Sequence, residues 1–355
     1  MRLSDLVAVI VEAAANKEPL RIRAGGSKDF YGGMLAGKLF DVSAHRGIVA
    51  YEPTELYVTA RCGTPLVEIE AALAERGQML AFEPPHFGRA TLGGCVAAGL
   101  AGPRRQQAGG VRDFVLGVKL VDGCGLVHDF GGQVMKNVAG YDVSRLLAGS
   151  LGTLGVLAEV TLKVLPQPRA EQTLRFDMDE GAALAVLNEW GGQPLPISAS
   201  FWSTGQLWLR LSGAQAAVAS AVARLADQFG GQTVDGEKHW ISVREQTHSA
   251  FAGASLWRLA LPTTSPALGL EGLSAIEWGG GLRWYAGDAV PAAVLRERAG
   301  QAGGHAVLYR APESQRCLED AFAPLAPPLL ALHRRLKKSF DPQGILNPGR
   351  LYAEF

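Results

Sequence analysis

Apolar and polar positions repeat with two different periods along this chain, and the switches between them mark its elements. Residues 4–16 space their apolar side chains three and four apart, as an amphipathic helix does, with Ser4 and Asp5 where caps belong. Glu12 breaks the apolar run, which argues against a signal peptide. A short strand is expected at "PLRIRA", and "IVAYEPTELYVTARCG" alternates enough for two more. The helix that follows takes Thr64 as cap and Pro65 as first residue and stops at Gly77. "FVLGVKLVDGCGLVHDF" reads as a hairpin turning at Asp122-Gly123. "YDVSRLLAG" reads as a short helix capped by Asp142, and "VLAEVTLKVLP" as a strand closed by Pro166.

Beyond "PQPRAEQ" the rhythm changes. Strand "TLRFDM", helix "DEGAALAVLNEWGG", strands "ISASFW" and "QLWLRLSG" and helix "AQAAVASAVARLADQFGG" form one block. "SLWRLALP", "SAIEWGG", "LRWYAG", helix "AVPAAVLRERAG" and "HAVLYRAP" form a related one. This pattern predicts an antiparallel sheet backed by helices on one face, an α+β arrangement. All seven tryptophans fall in this half. They suggest an exposed aromatic surface, and the basic helix "LHRRLKK" near the end is a second candidate interface.

Composition narrows the function classes. Lysine plus arginine and aspartate plus glutamate each number 34, so no global field favours nucleic acid or an anionic membrane. No uncharged apolar run reaches the length of a transmembrane helix. A cytoplasmic protein is the expectation. Cys62, Cys95, Cys124 and Cys317 lack any CxxC spacing, and the seven histidines include no HxH or HExxH pair. Neither a zinc site nor an iron–sulfur cluster is expected, so the metal assignment is none.

Glycine is the informative residue. Of 44 glycines, 24 lie in the first 165 residues, and they cluster. "AGSLGTLGV" (148–156) spaces Gly149, Gly152 and Gly155 three apart, but it runs helix, glycines, strand, the reverse of a Rossmann or Walker loop. A nucleotide there would be held by loop amides and by the Ser150 and Thr153 hydroxyls. "RAGGSK" (23–28) offers consecutive glycine amides beside Arg23 and Lys28. "TLGGCVAAGLAG" (91–102) brings Thr91 and is followed by Arg104 and Arg105, and "KNVAGYDVS" (136–144) is a further segment. Such a set fits a long ligand carrying a pyrophosphate; a glycine-rich β domain with many turns fits it equally.

In order along the chain, "IRAGGSK", "TLGGCVAAGLAG", "VLGVKLVDG", "KNVAGYDVSRLLAGSLGTLGVLAEVTLKVLP" and "FDPQGILNPGRLY" resemble the vanillyl-alcohol-oxidase or PCMH-type flavoproteins. Within them the chain is similar to the family of the shorter FAD-binding subunit of bacterial glycolate oxidase. The resemblance implies an α+β fold: a two-part PCMH-type FAD-binding domain over 1–168, an α+β cap domain with an antiparallel sheet over 169–325, and a helix and tail over 326–355 that return to the FAD domain. It implies that Arg23, Ala24, Gly25, Gly26 and Ser27 wrap the FAD pyrophosphate. Thr91, Gly93, Gly94, Ala98 and Gly99 would line the ribityl and isoalloxazine side, with Pro84 nearby. Gly149, Ser150, Gly152, Gly155 and Val156 would hold the adenosine end. No histidine lies in "RAGGSK", so non-covalent FAD is expected, with His86 in the cleft wall.

Catalytic members of the group carry histidine-rich motifs in the second half. Here His239, His248, His305 and His333 stand singly. Leu151 also replaces a usual acidic residue in "GSLGTLG". Catalytic residues are therefore unassigned. Arg283, Tyr285, His305 and Arg310 are the candidates, with Arg258 and Tyr309 on the same expected strands. The resemblance implies a redox subunit in the oxidation of glycolate to glyoxylate, working with a catalytic flavoprotein subunit and an iron–sulfur subunit. That would place it in the cytoplasm or, through the complex, at the inner membrane. A stand-alone FAD-dependent D-2-hydroxy acid dehydrogenase or oxidase, and a non-catalytic FAD scaffold, are the alternatives.

Overall fold

A computed structural model describes residues 1–132 and 142–355. The part of the fourth glycine segment up to residue 141 lies outside the described residues. The chain forms two compact units. The first comprises 1–100, 110–166 and 320–355, and the second 101–109 and 167–319.

The first unit has two parts. Helix Leu3–Asn16 buries Leu6, Ile10 and Ala13, one stripe at helical spacing. Its cap is Arg2, whose backbone N–H donates to Asp5 Oδ2 at 2.7 Å, one turn away from the expected caps. The stripe packs on a parallel strand pair, Leu20–Arg23 with Lys38–Asp41, and on Ile345 and Leu346 of the C-terminal segment. The second part is a five-stranded antiparallel sheet in the order 48–52, 57–61, 156–163, 115–121, 127–131. Its central strand Val156–Lys163 is buried along nearly its whole length, as its apolar run requires. Thr64 is not a helix cap: its hydroxyl donates to the Arg61 carbonyl at 2.6 Å, and Pro65 precedes helix Leu66–Ala74.

The second unit is an eight-stranded antiparallel sheet. Helices Glu180–Gly191 and Gln215–Phe229 bury Leu187, Trp190, Val218 and Leu225 against Leu174, Leu209 and Trp202 of the sheet. Helix Ala292–Gln301 seals Trp257, Leu259, Tyr285 and Leu308. The opposite face is covered as well, which the sequence pattern did not anticipate. Phe201, next to Trp202 and so on the other face, meets His239 of helix Glu237–Arg244, His248 and Phe251 at 5.2, 4.9 and 6.0 Å. The tryptophans are not an exposed surface: Trp190, Trp202, Trp240, Trp257, Trp278 and Trp284 are all buried.

His239 stacks on Trp208 at 3.9 Å, and its Nε2 is buried without a hydrogen-bond partner among the described residues. Burial first, and His248 second, push its pKa down to about 3. The unfolded chain takes up this proton near pH 6.5, the folded chain only near 3. Stability is therefore present above pH 6.5 and is lost as pH falls through that window, on the order of 2 kcal/mol. His239→Phe should flatten the fall in Tm between pH 7 and 4.5; an unchanged slope would place the acid sensitivity elsewhere.

Candidate functional site

The glycine segments meet in the first unit around a cleft of about 120 Å³. Residues 22–29 form one wall, and Thr91, Gly93, Gly94, Ala97 and Ala98 a second. Leu151, Gly152 and Gly155–Leu157 form a third, and Asn347 and Arg350 close it from the C-terminal segment.

Strand Leu20–Arg23 ends at this cleft, and the backbone leaves the ladder there. Among the described residues, the amides of Gly25, Gly26 and Ser27 have no acceptor within the chain. Unpaired backbone donors require a partner, and three in succession along a turn form a concavity that suits an anion. The turn is held from both sides. A Cβ on Gly25 would lie 1.6 Å from the Arg89 carbonyl oxygen, and Gly26 has φ +68°. Arg23 Nε pairs with Asp29 at 2.7 Å. Lys28 Nζ donates to Ser27 Oγ at 3.3 Å and lies 5.3 Å from the Phe87 ring. Arg23, Lys28 and Arg350 face a single carboxylate, Asp29, in the cleft lining, so the local charge is positive although the chain is neutral.

The second wall is helix Leu92–Ala98, whose Thr91 hydroxyl caps it by accepting the Gly94 N–H at 3.4 Å. The helix end is tied to the third wall: Gly149 and Leu151 amides donate to the Val96 and Ala97 carbonyls at 3.0 and 2.9 Å. The Ser150 and Thr153 hydroxyls do not face a ligand. Thr153 Oγ1 is buried and donates to the Ser150 carbonyl at 2.8 Å, and Ser150 is not in the lining. An intrachain carbonyl two or three residues away competes successfully for such a hydroxyl.

The C-terminal segment acts as a clamp. Asn347 accepts the Ile22 N–H at 2.7 Å and donates Nδ2 to the Leu151 carbonyl at 2.7 Å, joining first and third walls. Arg350 donates to the Gly33 and Tyr31 carbonyls. Lys337 of helix Pro327–Phe340 is buried and donates to the Thr153 and Leu346 carbonyls, both at 2.8 Å, and to Asp341 Oδ2 at 2.7 Å.

Arg23, Ala24, Gly25, Gly26, Ser27, Thr91, Gly93, Gly94, Ala98, Gly152, Gly155 and Val156 thus line one cleft. Pro84, Gly99, Gly149 and Ser150 do not: Gly99 instead abuts Gly149, where a Cβ would come within 3.0 Å of its Cα. The sequence reading missed Ile22, Leu35, Leu157 and Asn347 as lining residues; only the terminal "NPGRLY" carried a signal for the last. His86 lies 3.0 Å from Glu70, and no histidine lines the cleft.

The catalytic candidates separate. The Arg283 guanidinium is buried and donates to the Ser265, Pro266 and Gly280 carbonyls, so it is a structural residue. Tyr285 is packed in the core under helix Ala292–Gln301, and burial pushes its hydroxyl up to about 12. Arg310 donates to the Phe251 carbonyl. Arg258 and Arg283 do not share a face, because Arg258 pairs with Trp284 in the ladder. Of the four, His305 lines a cavity, together with Arg258.

The architecture and the sequence both have counterparts. An FAD binding domain model matches residues 2–131, and a model for the C-terminal domain of FAD linked oxidases matches 324–351. The chain is 48% identical to glycolate oxidase subunit GlcE of Escherichia coli (strain K12) over 98% of its own length and 97% of that protein. It is 34% identical to a D-lactate dehydrogenase of Archaeoglobus fulgidus over 56% of its length and 45% of the enzyme. Among solved structures, p-cresol methylhydroxylase with substrate bound superposes with TM-score 0.74 at 15% identity, covering 100% of this chain and 88% of that one. That likeness establishes a PCMH-type FAD-binding fold. Among the described residues, no helix is long and apolar enough to cross a membrane.

Proposed function

This chain belongs to the family of the glycolate oxidase subunit GlcE within the FAD-linked oxidases, and on that premise we propose that it is the flavin-carrying redox subunit of a complex oxidising glycolate to glyoxylate. The observation that carries this reading is the 48% identity over 98% of the chain, a span that takes in both units. When bound, FAD supplies a two-electron acceptor for the hydride leaving an α-carbon.

The chain's own residues hold and orient that group. The Gly25, Gly26 and Ser27 amides take the pyrophosphate, with Arg23 and Lys28 adding positive charge. Thr91, Gly93, Gly94 and Ala98 present a small-residue surface on which a planar ring system can lie. Gly152, Gly155 and Val156 take the adenosine half, and Asn347 keeps that wall against the first. The reading takes the flavin as held non-covalently, which the acid precipitation below tests. A catalytic flavoprotein subunit and an iron–sulfur subunit are the proposed partners, because the chain lacks the spaced cysteines a cluster needs.

The test is an absorption spectrum of the purified chain, before and after anaerobic addition of glycolate, followed by acid precipitation. We expect oxidised-flavin bands that persist with glycolate alone, bleach when the catalytic partner is added, and pass to the supernatant on precipitation. No flavin after reconstitution with FAD would overturn the reading. Bleaching by glycolate alone would make the chain a dehydrogenase in its own right.

A further inference from the structure

Helix Pro327–Phe340 docks on the first unit by one flank. Of its 14 residues, only Lys337 is buried. Lys337 reaches the Thr153 and Leu346 carbonyls, and the His333 ring lies 5.9 and 6.2 Å from Tyr352 and Phe355. Phe340 lies 6.3 Å from Phe130. At 3.6 residues per turn, Lys337, His333 and Phe340 fall within about 60° of one another around the axis.

The neighbouring strip of the same helix is apolar and open. Leu329 and Leu332 are 44% and 52% exposed, and Leu336 is half-buried. These three also lie within about 60° of one another. Their spacing of i, i+3, i+7 is that of a and d positions in a heptad, the seam along which a second helix lies. A helix in a folded protein draws most of its stability from packing its apolar stripe. The first helix does this with Leu6 and Ile10, whereas Leu329 and Leu332 stand largely in water.

Charge selects what can cover this seam. The helix carries Arg334, Arg335, Lys337 and Lys338 and no carboxylate. Lys337 pairs with Asp341, and Arg334 lies 3.5 Å from Glu354. Arg335 and Lys338 are exposed and have no carboxylate partner among the described residues. In the heptad register Arg335 takes a g position, beside Leu332 and Leu336, where opposite charge across the seam chooses the partner. A second copy of this helix would bring only further cations, so self-pairing is opposed. A bilayer calls for a broad apolar face, whereas this strip is narrow and its next flank is held against the helix's own unit. A single acidic helix fits both the width and the charge.

We propose that Leu329, Leu332 and Leu336 form a docking seam for an acidic amphipathic helix of a partner protein, with Arg335 meeting carboxylates on that helix. The seam goes beyond the functional reading above, and binding at it requires no flavin.

Fluorescence anisotropy of the full-length chain tests it, with two labelled helical peptides as probes and flavin content read from the absorbance of the same sample. Both peptides carry leucine at a and d; one has glutamate at e and g, the other lysine. The glutamate peptide should bind at least about tenfold more tightly than the lysine peptide, and less tightly as salt rises. Leu332→Glu places a charge in the seam and should weaken that binding at least about tenfold. Arg335→Glu should reverse the preference between the two peptides. Both side chains are exposed, so each variant should keep the Tm of the wild type. Absence of glutamate-peptide binding, equal binding of both peptides, or no response to either variant overturns the proposal. So does binding to vesicles of phosphatidylglycerol and phosphatidylcholine that Leu332→Glu abolishes, which would assign the seam to a membrane. A flavin-loaded chain that binds neither peptide loses the seam and keeps the functional reading, and a flavin-free chain that binds the glutamate peptide does the reverse.

Discussion

Gly25→Ala should abolish flavin retention and lower the Tm of the flavin-free chain as well. The new methyl would lie 1.6 Å from the Arg89 carbonyl oxygen and 2.8 Å from its carbon. Both are backbone atoms that cannot swing aside, so one of two cleft segments must move by more than an ångström. Overpacking of this kind costs about 1–3 kcal/mol, and it displaces the amides proposed to meet the pyrophosphate. We expect at least a hundredfold loss in FAD affinity, measured by flavin fluorescence on titration. Gly94→Ala is the contrasting case. Its methyl meets only the Thr91 hydroxyl at 3.4 Å, an ordinary contact, and alanine gains about 0.5–1 kcal/mol over glycine inside a helix. That variant should melt slightly higher without flavin, yet bind flavin more weakly, because Gly94 faces the cleft. If it binds FAD normally, the ring system does not lie on this wall.

The second large effect is expected at Lys337. Its ammonium is spent on two carbonyls and Asp341, and Asp341 in turn accepts the Ile345 and Leu346 amides at 3.1 and 2.8 Å. Lys337→Met leaves that carboxylate buried without its cation, which costs about 3–5 kcal/mol. It also releases the Thr153 carbonyl, and with it the wall carrying Gly152 and Gly155. Denaturant unfolding should show the loss in stability, and flavin affinity should fall with it. Adding Asp341→Asn should recover part of the stability, since the stranded charge is gone, but not the flavin affinity. Equal loss in single and double variants would mean that the pair is not coupled.

What could be read beforehand divides by the range of the interaction. Glycine runs and strand periods are local, so the cleft walls at 23–27, 91–98 and 152–156 were legible, and the strands were expected nearly where they occur. Hydroxyl destinations were not, because Thr153 chooses between a ligand and the Ser150 carbonyl only once the turn exists. Arginines misled for a related reason. Arg283 looked like a carboxylate grip, but the loop carrying Ser265 and Pro266 supplies carbonyls that no pattern on its own strand reveals. The grouping of Arg258 and His305 in one cavity depends on strand pairing, which is non-local.

The clamp also sets an order of events during synthesis. Leu151 and Asn347 are 196 residues apart, and their hydrogen bond joins two walls of the cleft. At ribosomal rates of 5–20 residues per second, roughly 10–40 s pass between the emergence of one and the other. Through that interval the nascent first unit has its glycine turns but not the residue that spans them. On the flavin site proposed above, stable capture is expected only after Asn347 has emerged, and a chain truncated ahead of Asn347 should fail to complete it.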